Sequence, residues 1–170
     1  DIYAKLKLKS DSVFYINDES GISIGSLEGA SIAVKGENEK MVEFNLETDA
    51  IKRENEYSDN DLENKHEVML RSDQIKEINH IILLDAARND VARACIAGTR
   101  YASRLFTISK SRHKLSLCSM VKGILKKDLD SLHAFASIFD FDIGIPKIKA
   151  AALLAGLEGQ KRGLCSGAFM

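Results

Sequence analysis

The chain has 170 residues, with 24 Lys and Arg against 25 Asp and Glu, a formal charge of −1, one proline and three cysteines. That length suits one domain with a real core, or a small domain with an appendage. The longest strictly aliphatic run, Ile81 to Leu84, falls far short of the ~18 apolar residues of a membrane span and excludes a transmembrane helix.

Cys95, Cys118 and Cys165 are odd in number and widely spaced, and the first two sit within helical patterns. They read as buried thiols of a reducing compartment, so a cytoplasmic setting is expected. The chain opens at Asp1 inside an alternating pattern and without a signal-peptide pattern, as a processed product or part of a longer protein would.

Ile2, Ala4, Leu6 and Leu8 alternate with Tyr3, Lys5, Lys7 and Lys9, the period-2 signal of a strand with one wet face. Val13 to Ile16, Ile22 with Ile24, Ala30 to Val34, and Val42, Phe44 and Leu46 read as further short strands. Turn clusters at Asn17 to Gly21, Gly25 to Gly29 and Gly36 to Glu39 separate them. Residues 1–47 are therefore predicted to form an antiparallel β-meander. Residues 47–67 carry eight acidic and three basic side chains with no apolar period. Such a stretch cannot offset its own ordering entropy, so 48–71 is predicted as an acidic linker.

Ser72 to Phe106 is predicted as one long central helix, with Ser72 as N-cap and Asp73 in the first turn. Ile75 to Ala87 is apolar on most of its circumference, the pattern of a buried helix. Beyond Arg88, the small-residue face of Ala87, Val91, Ala94, Gly98 and Ala102 opposes Arg93, Arg100 and Arg104. A break is expected near Arg88 to Asp90 or at Gly98, unless the helix leaves the core and presents a basic stripe. Leu115 to Leu125 and Leu129 to Phe139 read as two further helices, and Pro146 suits the first turn of a last one ending near Leu157. The helical region is thus 72–158, and glycine-rich 159–170 is a flexible tail.

The main functional signal is charge segregation. Residues 88–127 hold ten Lys or Arg against Asp90 alone, a local +9, which leaves −10 on the remainder. Clustered cations are the footprint that phosphate-backbone binding requires. Arg93, Arg100, Arg104, Lys110, Arg112 and Lys114 are the predicted contacts, with Tyr101 and Phe106 placed to stack on bases. A helix-turn-helix is disfavoured because Leu132, Phe135 and Phe139 make its recognition helix apolar.

Three weaker constellations stand beside it. Ser119 and Lys122 have the Ser-x-x-Lys spacing of a nucleophile and its basic partner, but Ser111 to Lys114 has it too and no Lys-Thr-Gly follows. Asp140 and Asp142 could hold a hard cation, yet a solvated loop edge explains them more simply. His66, His80, His113 and His133 lack metal-ligand spacing, and His80, on a mostly apolar helix, reads as a satisfied core residue.

The expected fold is α+β, an antiparallel meander followed by a helical part built on the central helix. The expected function is non-enzymatic association with a DNA or RNA backbone, regulatory or packaging, with no cofactor, no metal and no membrane. The alternative is an adaptor or structural homo-oligomer whose basic region meets an acidic protein surface.

Overall fold

The computed structural model describes residues 13–18, 21–26, 30–52, 60–111, 113–138 and 146–159. It is a mixed α/β protein. Strands β1 (Val13–Asp18) and β2 (Gly21–Ser26) pair antiparallel in a two-stranded sheet, in register from Val13 opposite Ser26 to Asp18 opposite Gly21. Strands β3 (Ser31–Lys35), β4 (Met41–Lys52), β5 (Tyr101–Lys110) and β6 (Lys114–Ile124) form a four-stranded sheet in the order β3-β4-β6-β5. β3 and β4 are antiparallel, joined through the predicted turn at Gly36, whose φ of 102° favours glycine. A Cβ there would also lie 2.5 Å from the Glu39 carbonyl oxygen.

Four helices complete the described residues: α1 (Asn60–Ser72), α2 (Gln74–Ala94), α3 (Ser131–Ile138) and α4 (Lys147–Glu158). None is long and apolar enough to cross a membrane. The chain divides into two compact units that alternate along the sequence. The first comprises Asp1–Ala30, Leu46–His80 and Arg104–Ser119, and the second Ser31–Asn45, Ile81–Ser103 and Met120–Met170. In the first, Leu46, Leu70, His80, Leu115 and Leu117 are fully buried. In the second, Val42, Phe44, Ala87, Val91, Val121 and Ala134 are.

Strands occur where they were expected from Val13 onward, with β4 continuing to Lys52, but the single meander is corrected: β1 and β2 form a sheet of their own, and β3 and β4 belong to the sheet that β6 and β5 complete. The strand expected over residues 2–8 and the tail beyond Gly159 lie outside the described residues. The acidic linker is corrected at both ends: β4 occupies its start and α1 its second half. Its acids have tertiary partners that composition does not display. Glu67 pairs with Arg71 one turn on, and Glu63 and Glu67 both face Lys110 of β5.

The single central helix is corrected as well. Ser72 ends α1, and Asp73 caps α2 by accepting from the backbone N–H of Ile75 (3.1 Å) and Lys76 (3.3 Å). Helix α2 stops at Ala94, before Gly98, which adopts φ 83° in the turn that follows. Thr99 closes that turn by donating to the Ile96 carbonyl (2.7 Å) and accepting from Ile124 N–H (3.1 Å). Residues 101–106 are then strand, because Tyr101, Leu105, Phe106, Thr107 and Ile108 suit a pleated surface.

The helix predicted over Leu115 to Leu125 is β6. Leu115, Ser116, Leu117, Cys118 and Ser119 are all buried, so this half of the interior strand is covered on both faces and lacks the alternation that marks a half-buried one, which returns only from Met120. Cys118 therefore lies in a strand and Cys95 just beyond α2, bridged to Leu125; both are buried and neither is in a disulfide, and burial pushes the Cys95 thiol up. Cys165 is outside the described residues. α3 and α4 confirm the last two predicted helices, with Pro146 at the N-cap of α4 and Gly159 ending it at φ 61°.

Candidate functional site: a buried histidine chain

Helix α2 turns His80, Leu84, Ala87 and Val91 inward at i, i+4, i+7 and i+11. His80 is fully buried, and a buried imidazole must find partners for both ring nitrogens. It does so within the first unit. Thr48 Oγ1 on β4 lies 2.7 Å from Nδ1, and Ser119 Oγ on β6 lies 2.7 Å from Nε2. Ser119 Oγ also accepts the backbone N–H of Phe106 on β5 at 3.1 Å. Either ring tautomer closes this chain, because each hydroxyl can donate or accept. Burial holds the imidazole below its ordinary pKa, opposed in part by the charge of Asp49, so the ring is neutral at neutral pH.

The chain converges on Phe106. Its φ of 51° is left-handed, a conformation that costs a non-glycine residue about 1–2 kcal/mol and persists only where the surroundings over-determine it. Three contacts do so. Ser119 takes its N–H, Arg71 Nη1 donates to its carbonyl at 3.2 Å, and its ring sits 5.4 Å from the His80 ring. Asp49, next to Thr48, is also left-handed at φ 53°.

Ser119 and His80 lie at the distance of a nucleophile and its base, but Ser119 is fully buried and the group on the far side of the imidazole is the Thr48 hydroxyl, not a carboxylate. The chain is suited to holding β5 and β6 against α2 in one geometry. The Ser119 and Lys122 pair is not formed: on a strand, i and i+3 point to opposite faces, and Lys122 binds Glu43 at 2.6 Å. Asp140 and Asp142 lie outside the described residues, among which no group of three or more His, Cys, Asp and Glu could hold a metal. His80 is the satisfied core residue expected from the sequence. Its partners were not legible, since they lie 32 and 39 positions away on strands.

Four of the six predicted cations are tied to groups of their own unit. In the second unit, Arg93 pairs with the buried carboxylate of Asp90 at 2.8 Å and also donates to the Ser137 carbonyl, while Lys147 reaches the other Asp90 oxygen at 2.5 Å. Arg100 donates to the Arg88 carbonyl. In the first unit, Lys110 lies 3.5 Å from Glu67 and 3.7 Å from Glu63, and Lys114 lies 3.0 Å from Glu47. Arg71 holds Glu67 below the usual carboxylate range, with Lys110 adding to the effect. Arg104 is exposed on β5 and pairs with no described residue, and Arg112 is outside the described set. These charges are largely spent on internal ties.

Comparison with known proteins settles the class. Residues 40–170 match the family described as chorismate binding enzyme. Anthranilate synthase component 1 of Vibrio parahaemolyticus is 36% identical over 98% of this chain, and that of Haemophilus influenzae 34% identical over 98%. The chain spans about a third of the length of these curated relatives, 32% and 33%. Among solved structures, anthranilate synthase component I from Streptococcus pneumoniae superposes with a TM-score of 0.76 at 23% identity, over 98% of this chain and 36% of that one. A Bacillus anthracis isochorismate synthase, DhbC, superposes at 0.74 with 20% identity, over 98% of this chain and 45% of that one.

These matches overturn the expected nucleic-acid function, the assignment as a non-enzyme, the adaptor alternative and the DNA or RNA partner. A local excess of cations predicts an open surface, whereas Arg93, Arg100, Lys110 and Lys114 neutralise acids or bind carbonyls of the same chain. The chain belongs to the chorismate-binding enzyme family.

Proposed function

We propose that this chain is a part of an anthranilate synthase component 1, contributing to the domain that binds chorismate and converts it to anthranilate. The observation that carries this is the 36% identity to the Vibrio parahaemolyticus enzyme component along 98% of the chain. The fold shared with the Streptococcus pneumoniae component I supports it. The partner implied by a component 1 is the other component of the same enzyme.

Within such a domain the buried chain of Thr48, His80 and Ser119 acts as a scaffold. It fixes the backbone at Phe106, and a site built on fully satisfied strands and a helix is held more tightly than one built on loops. The remaining polar ties, Asp90 with Arg93 and Lys147, serve the second unit in the same way.

The test is a chimaera in which this chain replaces the matched third of the Vibrio parahaemolyticus component, supplied with chorismate and a nitrogen donor. Fluorescent anthranilate is the expected product. A chimaera with native-like circular dichroism that makes no anthranilate would overturn the assignment, and isochorismate in its place would move the chain to another activity of the family.

A further inference from the structure

Helix α2 has two apolar faces, one buried and one exposed. His80, Leu84, Ala87 and Val91 are buried, while Ile75, Ile78 and Ile82 stand 73%, 55% and 47% exposed. At about 100° per residue the three isoleucines fall within about 60° of one another and about 180° from the buried face. The preceding helix, α1, shows the same excess, with Val68 63% and Met69 55% exposed. A helix that is apolar on opposite faces is normally covered on both. Isoleucines this exposed at helical spacing form a stripe, unlike the single apolar residues that any surface carries.

We infer that the Ile75, Ile78 and Ile82 face of α2 is an internal seam of the complete chorismate-binding fold, seated against apolar side chains of the polypeptide that makes up its other two thirds. Two observations choose that occupant over a second copy of this chain. The curated relatives are about three times as long as the part matched here, so each carries a large body of chain beyond it. The two solved structures keep this arrangement of strands and helices as only 36% and 45% of one chain, so the same elements exist there with more of the same polypeptide to pack on them. The inference rests on family membership and not on which product is made.

The test co-expresses this chain, tagged, with the Vibrio parahaemolyticus component from which the matched third has been removed. The parent chain is expected to retain the complementing polypeptide one to one through purification. Ile75→Lys, Ile78→Lys and Ile82→Lys together should lower the retained amount at least about tenfold, since the seam loses three apolar side chains and a buried lysine opposes closure.

The same triple variant, alone, should keep the parent's helix content and unfolding midpoint, because the three side chains are exposed there. The single variant Ile75→Lys, at the most exposed position, provides a milder form should the triple one lose helix. A triple or single variant that retains the complement as well as the parent, or a parent that retains none, overturns the inference. So does a parent dimer that the variants dissociate, which would assign the seam to a second copy. A complex that forms through these isoleucines but makes no anthranilate leaves the seam standing and removes the proposed activity.

Discussion

Glu43 offers the sharpest test of how the second unit is held together. Its carboxylate sits between Lys122 of β6 at 2.6 Å and Lys35 of β3 at 2.5 Å, tying β4 to strands on both sides. The Lys122 hydrogen bond, followed by that of Lys35, pulls its pKa from 4.5 to about 2. At about 1.4 kcal/mol per pH unit this difference corresponds to about 3 kcal/mol. The Lys35 side chain is 66% exposed and screened by water, so its share is small, and about 2 kcal/mol is the expected net effect, mostly through Lys122.

A carboxyl group whose folded pKa is depressed contributes fully above its unfolded value and loses that contribution as pH falls through the folded one. The window here runs from 4.5 down to about 2. Urea unfolding of the parent and of Glu43→Gln, followed by circular dichroism at neutral pH and at steps within that window, should show a gap of about 2 kcal/mol that narrows as pH falls. Lys122→Met should cost more than Lys35→Met. A gap that is absent at neutral pH, or that stays constant through the window, would refute the account.

The buried chain yields two further tests. Ser119→Ala strips partners from both His80 and the Phe106 N–H and should cost about 1–3 kcal/mol in urea unfolding; a loss below about 0.5 kcal/mol would mean that these groups are not held as described. Because His80 is held below 6.5, its imidazole protonates first in the unfolded chain, so stability should begin to fall once the pH drops below that value, before the carboxylates titrate. His80→Gln should flatten that part of the curve, and an unchanged slope would assign it elsewhere. In the second unit, a Cβ on Gly123 would lie 2.7 Å from Cys95 Sγ, so Gly123→Ala should destabilise by about 1–3 kcal/mol, and Cys95→Ala should recover part of the loss in the double variant. Strict additivity of the two would show that they do not meet.

What the sequence by itself determined is whatever depends on near neighbours. Alternation in Val42, Phe44 and Leu46 marked β4, glycine marked the turn at Gly36, the cap fell at Asp73, one residue beyond the expected Ser72, and the spacing of Ala87, Val91 and Ala94 marked an inward face of α2. Family membership is also carried by the sequence, through matches along its length that no short motif in it advertises. Tertiary structure alone decided the rest. The first half of β6 is covered on both faces, so its apolar residues carry no period that distinguishes strand from helix. The acids of 47–67 resembled a linker because the cations that neutralise them, Arg71, Lys110 and Lys114, are brought to them by folding. The same pairing, seen from the basic side, removed the surface on which a nucleic acid was expected: net charge along a chain adds up locally, but its field is set by partners that only the fold brings within a few ångströms.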